Sequence, residues 1–374
     1  MKIRTALISV FNKDGLDEII RLLVKHKIKI ISTGGTAEFI RKLKVPVTEV
    51  ETITNFPAVF GGRVKTLQPQ IFGGILNRRE NTEDQKEKKK YNIEDIDLII
   101  VDLYPFEETL ENGKSDEEII EKIDIGGVAL IRAAAKNYKD VVVISSKKQY
   151  QGLSLILKNG NETSLGERKK LAGDAFEITS AYDTAIRGYF QGISLRYGEN
   201  PHQKGAFIGN LEESFIQLHG KELSYNNLID TEAAIMVVYD FKDPAFAIIK
   251  HMNTCGLAVR KEGQLLEAYK AAYKTDPLSA FGGILAANRT IGENIAKLIK
   301  EQRLFVEVII APDFTKKALE IFKEKKNCRI LKWKNPIFPK RQMRTCFTGI
   351  LTQDRDTQID KEEDFMIVTK RKPT

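Results

Sequence analysis

Cysteine is scarce in this chain, and Cys255, Cys328 and Cys346 are odd in number and far apart. That excludes a disulfide framework and fits a reducing compartment. No Cys-x-x-Cys pair occurs, so a structural zinc site is not expected. No apolar run approaches the roughly 20 residues that a membrane helix requires. The first residues go straight into a folded pattern, without the apolar region of a signal peptide. A cytoplasmic protein with no membrane partner is therefore expected. Nucleic-acid reader motifs and interleaved aromatic and basic residues are missing too, which argues against a nucleic-acid partner. Lys and Arg (59) exceed Asp and Glu (51), for a formal net charge of +8. Much of that excess lies in runs expected to be solvated, at 86–90 and 370–372, and phosphorylated or carboxylated small molecules account for the balance equally well.

What is present suits two domains: 374 residues, 42% of them hydrophobic, can build two cores. Residues 5–10 and 28–32 predict buried strands. Each precedes a helix, one from about Leu16 to His26 with Leu16, Ile19, Ile20 and Leu23 on one face, the other from Ala37 to Leu43. The run 96–103 is almost continuously apolar, as a central parallel strand is. Tyr104-Pro105-Phe106 follows it, where open α/β sheets put their ligands. Ser115 with Glu118, and Ser164 with Glu167, have capping-box spacing. A strand at 140–145 and a helix from about Gly166 to Phe190 complete a first domain, taken as residues 1–195. The stretch 196–203 breaks the periodic pattern. Beyond it, strands at 245–250, 282–287 and 306–311 alternate with helices near 231–241, 264–274, 291–302 and 315–324, giving a second α/β unit over 196–374. Phe-Gly-Gly-Ile-Leu occurs at both 72–76 and 281–285, but five residues with different flanks make no repeat.

Chemistry-bearing residues gather in the first half. Arg63, Lys65 and Thr66 lie between glycine pairs at 61–62 and 73–74. In an extended segment Arg63 and Lys65 point the same way, and two cations with a hydroxyl suit a phosphorylated ligand. Ser32-Thr33-Gly34-Gly35-Thr36 joins a strand to a helix, and offers backbone N–H groups to an anion or serves as a plain helix cap. Asp124-Ile125-Gly126-Gly127 opens a helix that carries Arg132 and Lys136. A carboxylate near lysines and a tyrosine can shuttle protons, whereas Asp124 and Lys136 in isolation read as an ordinary ion pair.

Taken together, these segments resemble one family. Ser9 with Lys13-Asp14-Gly15, the 32–36 loop, Gly-Gly-Arg-Val-Lys-Thr-Leu at 61–67, Leu-Tyr-Pro-Phe at 103–106 and the segment 124–137 resemble the inosine monophosphate cyclohydrolase domain of the bifunctional purine-biosynthesis enzymes. Arg-Tyr-Gly-Glu-Asn-Pro-His-Gln at 196–203, Lys-His-Met-Asn-Thr-Cys-Gly at 250–256 and Asp-Pro-Leu-Ser-Ala-Phe-Gly-Gly at 276–283 resemble their aminoimidazole carboxamide ribonucleotide (AICAR) transformylase domain. The resemblance implies an α/β protein: a methylglyoxal-synthase-like parallel-sheet domain, then the first part of a cytidine-deaminase-like transformylase domain. It implies cyclisation of formyl-AICAR to inosine monophosphate, formyl transfer from 10-formyltetrahydrofolate as co-substrate, and a homodimer. By the same resemblance Lys65, Tyr104, Asp124, Lys136, Lys250 and His251 are catalytic. Ser9, Asn12, Lys13, Thr33, Gly34, Gly35, Thr36, Arg63, Thr66, Asp102, Ile125, Gly126, Arg196, Tyr197, Asn253, Gly282 and Glu307 are substrate-binding. Zinc deaminases carry a His-x-Glu and a Pro-Cys-x-x-Cys, neither of which is present, so no metal is expected.

The chain also departs from the family pattern. Gln68 and Phe72 stand where histidines are usual, Asp102 where Asn is usual, and Thr254 where Pro is usual. An Asp beside a phosphorylated ligand repels it unless paired. The family continues for well over a hundred residues past the position of Thr374, so these 374 residues are expected to cyclise but to transfer formyl groups poorly. The alternative is a nucleotide-binding or regulatory protein of the same folds without turnover.

Overall fold

The computed structural model describes residues 1–334, 338–358 and 365–371. The chain divides into two compact units, Met1–Phe190 and Gln191–Thr374. In the first, β1 (Thr5–Ser9), β2 (Lys29–Ser32), β3 (Thr48–Glu49), β4 (Leu98–Val101) and β5 (Val142–Ile144) form one sheet in the order β3-β2-β1-β4-β5. Every pairing in it is parallel. Successive strands are therefore joined by crossovers. These are α1 (Leu16–Lys25), α2 (Gly34–Lys42), α3 (Val50–Thr54), α4 (Pro69–Leu76), α5 (Thr82–Lys90), α6 (Phe106–Glu111), α7 (Asp116–Ile120) and α8 (Gly126–Lys136), with α9 (Tyr150–Lys158) and α10 (Leu165–Gln191) after the last strand.

Strand periodicity of two sorts the core residues onto two faces. Ile8, Ile30, Ile100 and Ile144 pack with Leu16, Ile19, Ile20 and Leu23 of α1 and Leu153 of α9. Their neighbours Leu7, Ile31, Ile99 and Val143 pack with Ile71 and Ile75 of α4, Leu130 and Ile131 of α8, and Ala175 of α10. The basic helix α5 buries none of its residues, as its composition demands. Both expected capping boxes form, Ser115 with Glu118 and Ser164 with Glu167.

The second unit holds β6 (Gly192–Leu195), β7 (Gly205–Ile208), β8 (Phe215–His219), α11 (Tyr225–Tyr239), β9 (Ala245–Lys250), β10 (Asn253–Val259), α12 (Leu265–Thr275), β11 (Gly283–Ala287), α13 (Glu293–Glu301), β12 (Val306–Ala311), α14 (Lys316–Lys323), β13 (Arg329–Trp333), β14 (Arg341–Cys346) and β15 (Gly349–Asp354). Six of these strands make a mixed sheet, β10-β9-β11-β12-β13-β8, and β6-β7 and β14-β15 are separate hairpins. Ala234, Ile235 and Val238 of α11 cover one face, against Ala247, Ile284 and Ile310. Tyr269 of α12, Ile295 of α13 and Phe322 of α14 cover the other, against Phe246, Leu285 and Ile309.

Two expectations change. The 33–36 segment is not a free loop: α2 begins at Gly34, so Gly35 and Thr36 stand in its first turn. The 60–66 segment is not extended, because Phe60–Gly62 forms a 3-10 turn with Gly61 and Gly62 at φ of 66° and 90°, a conformation glycine takes at low cost. The pentapeptide repeated at 72–76 and 281–285 lies within α4 in the first instance and runs into β11 in the second.

Candidate active site

In a parallel sheet of this order the chain reverses its direction of progress between β1 and β4, which leaves a crevice beyond the carboxyl ends of those strands. The first unit has a cavity of about 590 Å³ there. Ser9, Lys13, Thr33, Gly35, Thr36, Arg63, Lys65, Thr66, Asp102, Tyr104, Asp124, Ile125 and Gly126 all line it. The N-termini of α2 and α8 both open on it, each a site of positive potential with free backbone donors. Thr33 Oγ1 is buried without a hydrogen-bond partner among the described residues.

Asp102 directly follows β4, and its carboxylate spans the crevice to the loop after β1, accepting hydrogen bonds from Phe11 N and from Asn12 N at 2.9 Å. The departure from the usual Asn is thus accommodated by pairing with backbone donors. Burial pushes the Asp102 carboxyl above its ordinary pKa, while the Asn12 and Phe11 N–H groups and Lys13 pull the other way. Asn12 is not among the residues lining the cavity; its Oδ1 accepts from Asp14 N at 2.8 Å within its own loop. Lys13 Nζ donates to Val10 O and Phe11 O, both at 2.9 Å, and Thr36 Oγ1 donates to Val10 O at 2.9 Å. The β1 loop is therefore fixed before any ligand arrives.

Opposite, Asp124 Oδ1 accepts from Gly127 N at 2.7 Å, and Asp124 N donates to Tyr182 Oη at 2.8 Å. Tyr182 in turn donates to Lys122 O, so α10 braces this wall. Burial pushes the Asp124 carboxyl up, and the nearby Asp102 charge adds to the rise. Burial also raises Tyr104, helped by Asp124, Glu121 and Asp102, so its phenol stays protonated and can donate. A methyl group on Gly34 would stand 3.5 Å from Lys65 Nζ, so that ammonium lies against the α2 turn. Arg63 pairs with Glu121 at the rim.

Sequence reasoning missed Phe11, Glu121 and Lys122. Lys122 Nζ sits 5.7 Å from the ring centres of both Phe11 and Tyr104, whose rings meet edge to face. Their adjacency to Ser9–Lys13 and to Asp124 was the available signal. Lys136 does not line this cavity in its own chain. It is exposed at the far end of α8, about 16 Å of helix from Asp124, so the two make no ion pair. It lines a separate apolar depression with Phe72, Arg132, Tyr138, Lys169 and Phe176.

In the second unit Lys250 ends β9, and its Nζ donates to Phe281 O at 2.7 Å, joining it to the loop that holds Gly282. His251 is exposed in the tight turn that follows, and Asn253 Nδ2 donates to His251 O at 2.7 Å. Arg196 lies over the ring of Tyr197, 5.1 Å from its centre. Glu307 faces inward to the buried Arg329, whose guanidinium also donates to Glu222 O. Glu307 is thereby engaged in holding the sheet together. Among the described residues no cluster of His, Cys, Asp and Glu could hold a metal ion, and no helix is long and apolar enough to cross a membrane.

The family model for the AICARFT/IMPCHase bienzyme matches residues 134–374, and an MGS-like domain model matches residues 15–129. The chain is 49% identical to the bifunctional purine biosynthesis protein PurH of Bacteroides thetaiotaomicron, over all of this chain and 76% of that protein. It is 46% identical to the PurH protein of Rhodospirillum rubrum, over all of this chain and 75% of that one. The crystal structure of ForH is 30% identical, covering 50% of this chain and 96% of that one with a TM-score of 0.45.

Proposed function

The chain belongs to the AICARFT/IMPCHase bienzyme family of purine biosynthesis, and on that premise we propose that the cavity of the first unit closes formyl-AICAR to inosine monophosphate. The observation that carries this is the convergence of Lys65, Tyr104 and Asp124, from three separate segments, on one cavity faced by two helix N-termini. The helix ends, Lys13 and the unpartnered Thr33 hydroxyl suit the nucleotide phosphate.

The chemistry asks little beyond orientation and proton transfer, since both reacting groups sit on one substrate. The carboxamide nitrogen attacks the formyl carbon, forming the ring C–N bond. The carbonyl electron pair moves to oxygen, where the Lys65 ammonium and the Tyr104 phenol stabilise it. Asp124 takes one proton from the attacking nitrogen while the oxyanion is protonated to a hydroxyl. The formamide nitrogen then loses its proton as the hydroxyl gains a second one and leaves as water, forming the ring C=N bond. Lys136 serves this cavity only from a second copy of the chain, because its own α8 carries it away. That requirement supports a homodimer. The three free cysteines support a cytoplasmic setting.

In the second unit the reading assigns formyl transfer from 10-formyltetrahydrofolate to the amine of AICAR, with His251 as base and Lys250 holding charge on the formyl oxygen. The pairing of Lys250 with the Phe281–Gly282 loop supports it. The cyclohydrolase assay follows product absorbance with purified protein and formyl-AICAR. Turnover that falls at least a hundredfold in Asp124→Asn supports the reading. Binding of inosine monophosphate by calorimetry without any turnover replaces it with a regulatory role.

A further inference from the structure

The turn that carries His251 is built against its own sequence. Lys250 pairs with Asn253 across β9 and β10, so His251 and Met252 form a two-residue hairpin loop. Both have positive φ, 52° and 61°. Two-residue hairpins with positive φ at both positions normally use Asn-Gly or a similar pair, because a side chain crowds the backbone there. Histidine takes positive φ less readily than Gly or Asn, and methionine less readily still, so two such residues in succession are held best by a tertiary contact. That contact comes from α11. Asp230, nine-tenths buried, accepts from His251 N through Oδ2 at 3.1 Å and from Met252 N through Oδ1 at 2.8 Å. One carboxylate thus captures the N–H groups of both strained residues.

We propose that Asp230 is a positioning residue for formyl transfer, holding His251 and Met252 in a left-handed turn so that the imidazole stays beside Lys250. This rests on the assignment of Lys250 and His251 made above. It explains why a residue without Gly or Asn can occupy the loop: the backbone is held by an acid on a distant helix, which frees position 251 for a histidine. It also accounts for a buried carboxylate with no cationic partner among the described ion pairs.

The test compares Asp230→Ala, Asp230→Asn, and Asp230→Ala combined with Met252→Gly in the intact protein. Removing both acceptors is expected to lower kcat for formyl transfer about a hundredfold, the size of effect that roughly 1 Å of misplacement produces. KM for AICAR should change less than threefold, and the cyclohydrolase rate less than twofold. Asn, which keeps one acceptor oxygen, should restore part of the loss. Glycine at 252 suits positive φ and should recover at least tenfold in the Ala background. A kcat within threefold of the parent in Asp230→Ala overturns the proposal, and so does a loss that Met252→Gly leaves unrelieved. Equal loss of both activities with a lowered Tm also overturns it, by making Asp230 an ordinary folding residue. Amide hydrogen exchange at 251 and 252 reads the turn without turnover: at least tenfold faster exchange in Asp230→Ala supports the proposal, and unchanged exchange overturns it. If the parent transfers no formyl groups, the assignment of Lys250 and His251 fails instead, and exchange alone decides for Asp230.

Discussion

Replacing Gly127 by alanine separates what the Asp124 wall does for folding from what it does for chemistry. Gly127 lies in the first turn of α8, where alanine brings up to about 1 kcal/mol of helix propensity. Its new Cβ, however, would stand 2.5 Å from Asp124 Oδ2 and 2.9 Å from Cγ. The carboxylate must retreat by about 1 Å to reach ordinary van der Waals contact, and in doing so it loses the 2.7 Å hydrogen bond from Gly127 N. A bond to a charged acceptor contributes about 1.5–3 kcal/mol, so the net loss of stability is about 0.5–3 kcal/mol, or several degrees in Tm. The rate should suffer far more, because a displacement of about 1 Å costs on the order of a hundredfold. Ring closure by absorbance and thermal unfolding are measured on the same preparation. Gly152→Ala in α9, where an added Cβ meets nothing within 4 Å, is the control that changes propensity alone. Cyclisation by Gly127→Ala within threefold of the parent would refute the placement of Asp124 in the chemistry.

Two further outcomes follow from the same cavity. Burial raises the folded-state pKa of Asp102, so the parent loses stability as pH rises from the ordinary carboxylate value of about 3.9 through the folded one. Asp102→Asn should therefore gain in Tm on the parent as pH is raised from about 3 towards 6, with Lys13, Tyr104, Asp124 and Tyr150 the charged and titratable groups around it; a flat or falling difference contradicts this. Lys65→Ala and Lys136→Ala should each abolish cyclisation alone, yet recover activity when co-expressed, because one site of a mixed dimer then has both lysines intact. No recovery in an isolated mixed dimer would mean that Lys136 never reaches the cavity from a partner.

Periodicity made the cores legible. Leu16, Ile19, Ile20 and Leu23 are all buried, as their spacing demands, and the apolar run ending at Val101 supplies a central strand. What stayed hidden depends on distant partners. Phe-Gly-Gly-Ile-Leu lies in a helix at 72–76, where Pro69 starts the turn and Ile71 and Ile75 share a buried face. At 281–285 the same letters enter a strand, because β9 and β12 flank it. The strand β10 was missed because its first residues, Asn253 and Thr254, are polar and exposed, and only pairing with β9 extends them. In the site, motif residues fixed the cavity lining but not its supports. Tyr182 and Asp230 act from helices whose sequence separation from their targets gives no local signal.

The all-parallel sheet of the first unit imposes a timetable on synthesis. β1 sits at the centre and needs neighbours on both edges, β2 on one and β4 on the other. β2 is made soon after it, but β4 begins only at Leu98. At about 5–20 residues per second, the second edge of β1 waits on the order of 5–20 seconds for its partner. During that interval an apolar strand has unpaired N–H and C=O groups along one side, the state in which chains pair with each other. The nascent chain is thus most vulnerable between the emergence of β2 and that of β4. Slowing translation within that span, by rare codons for α4 or α5, should lower soluble yield without altering a single residue.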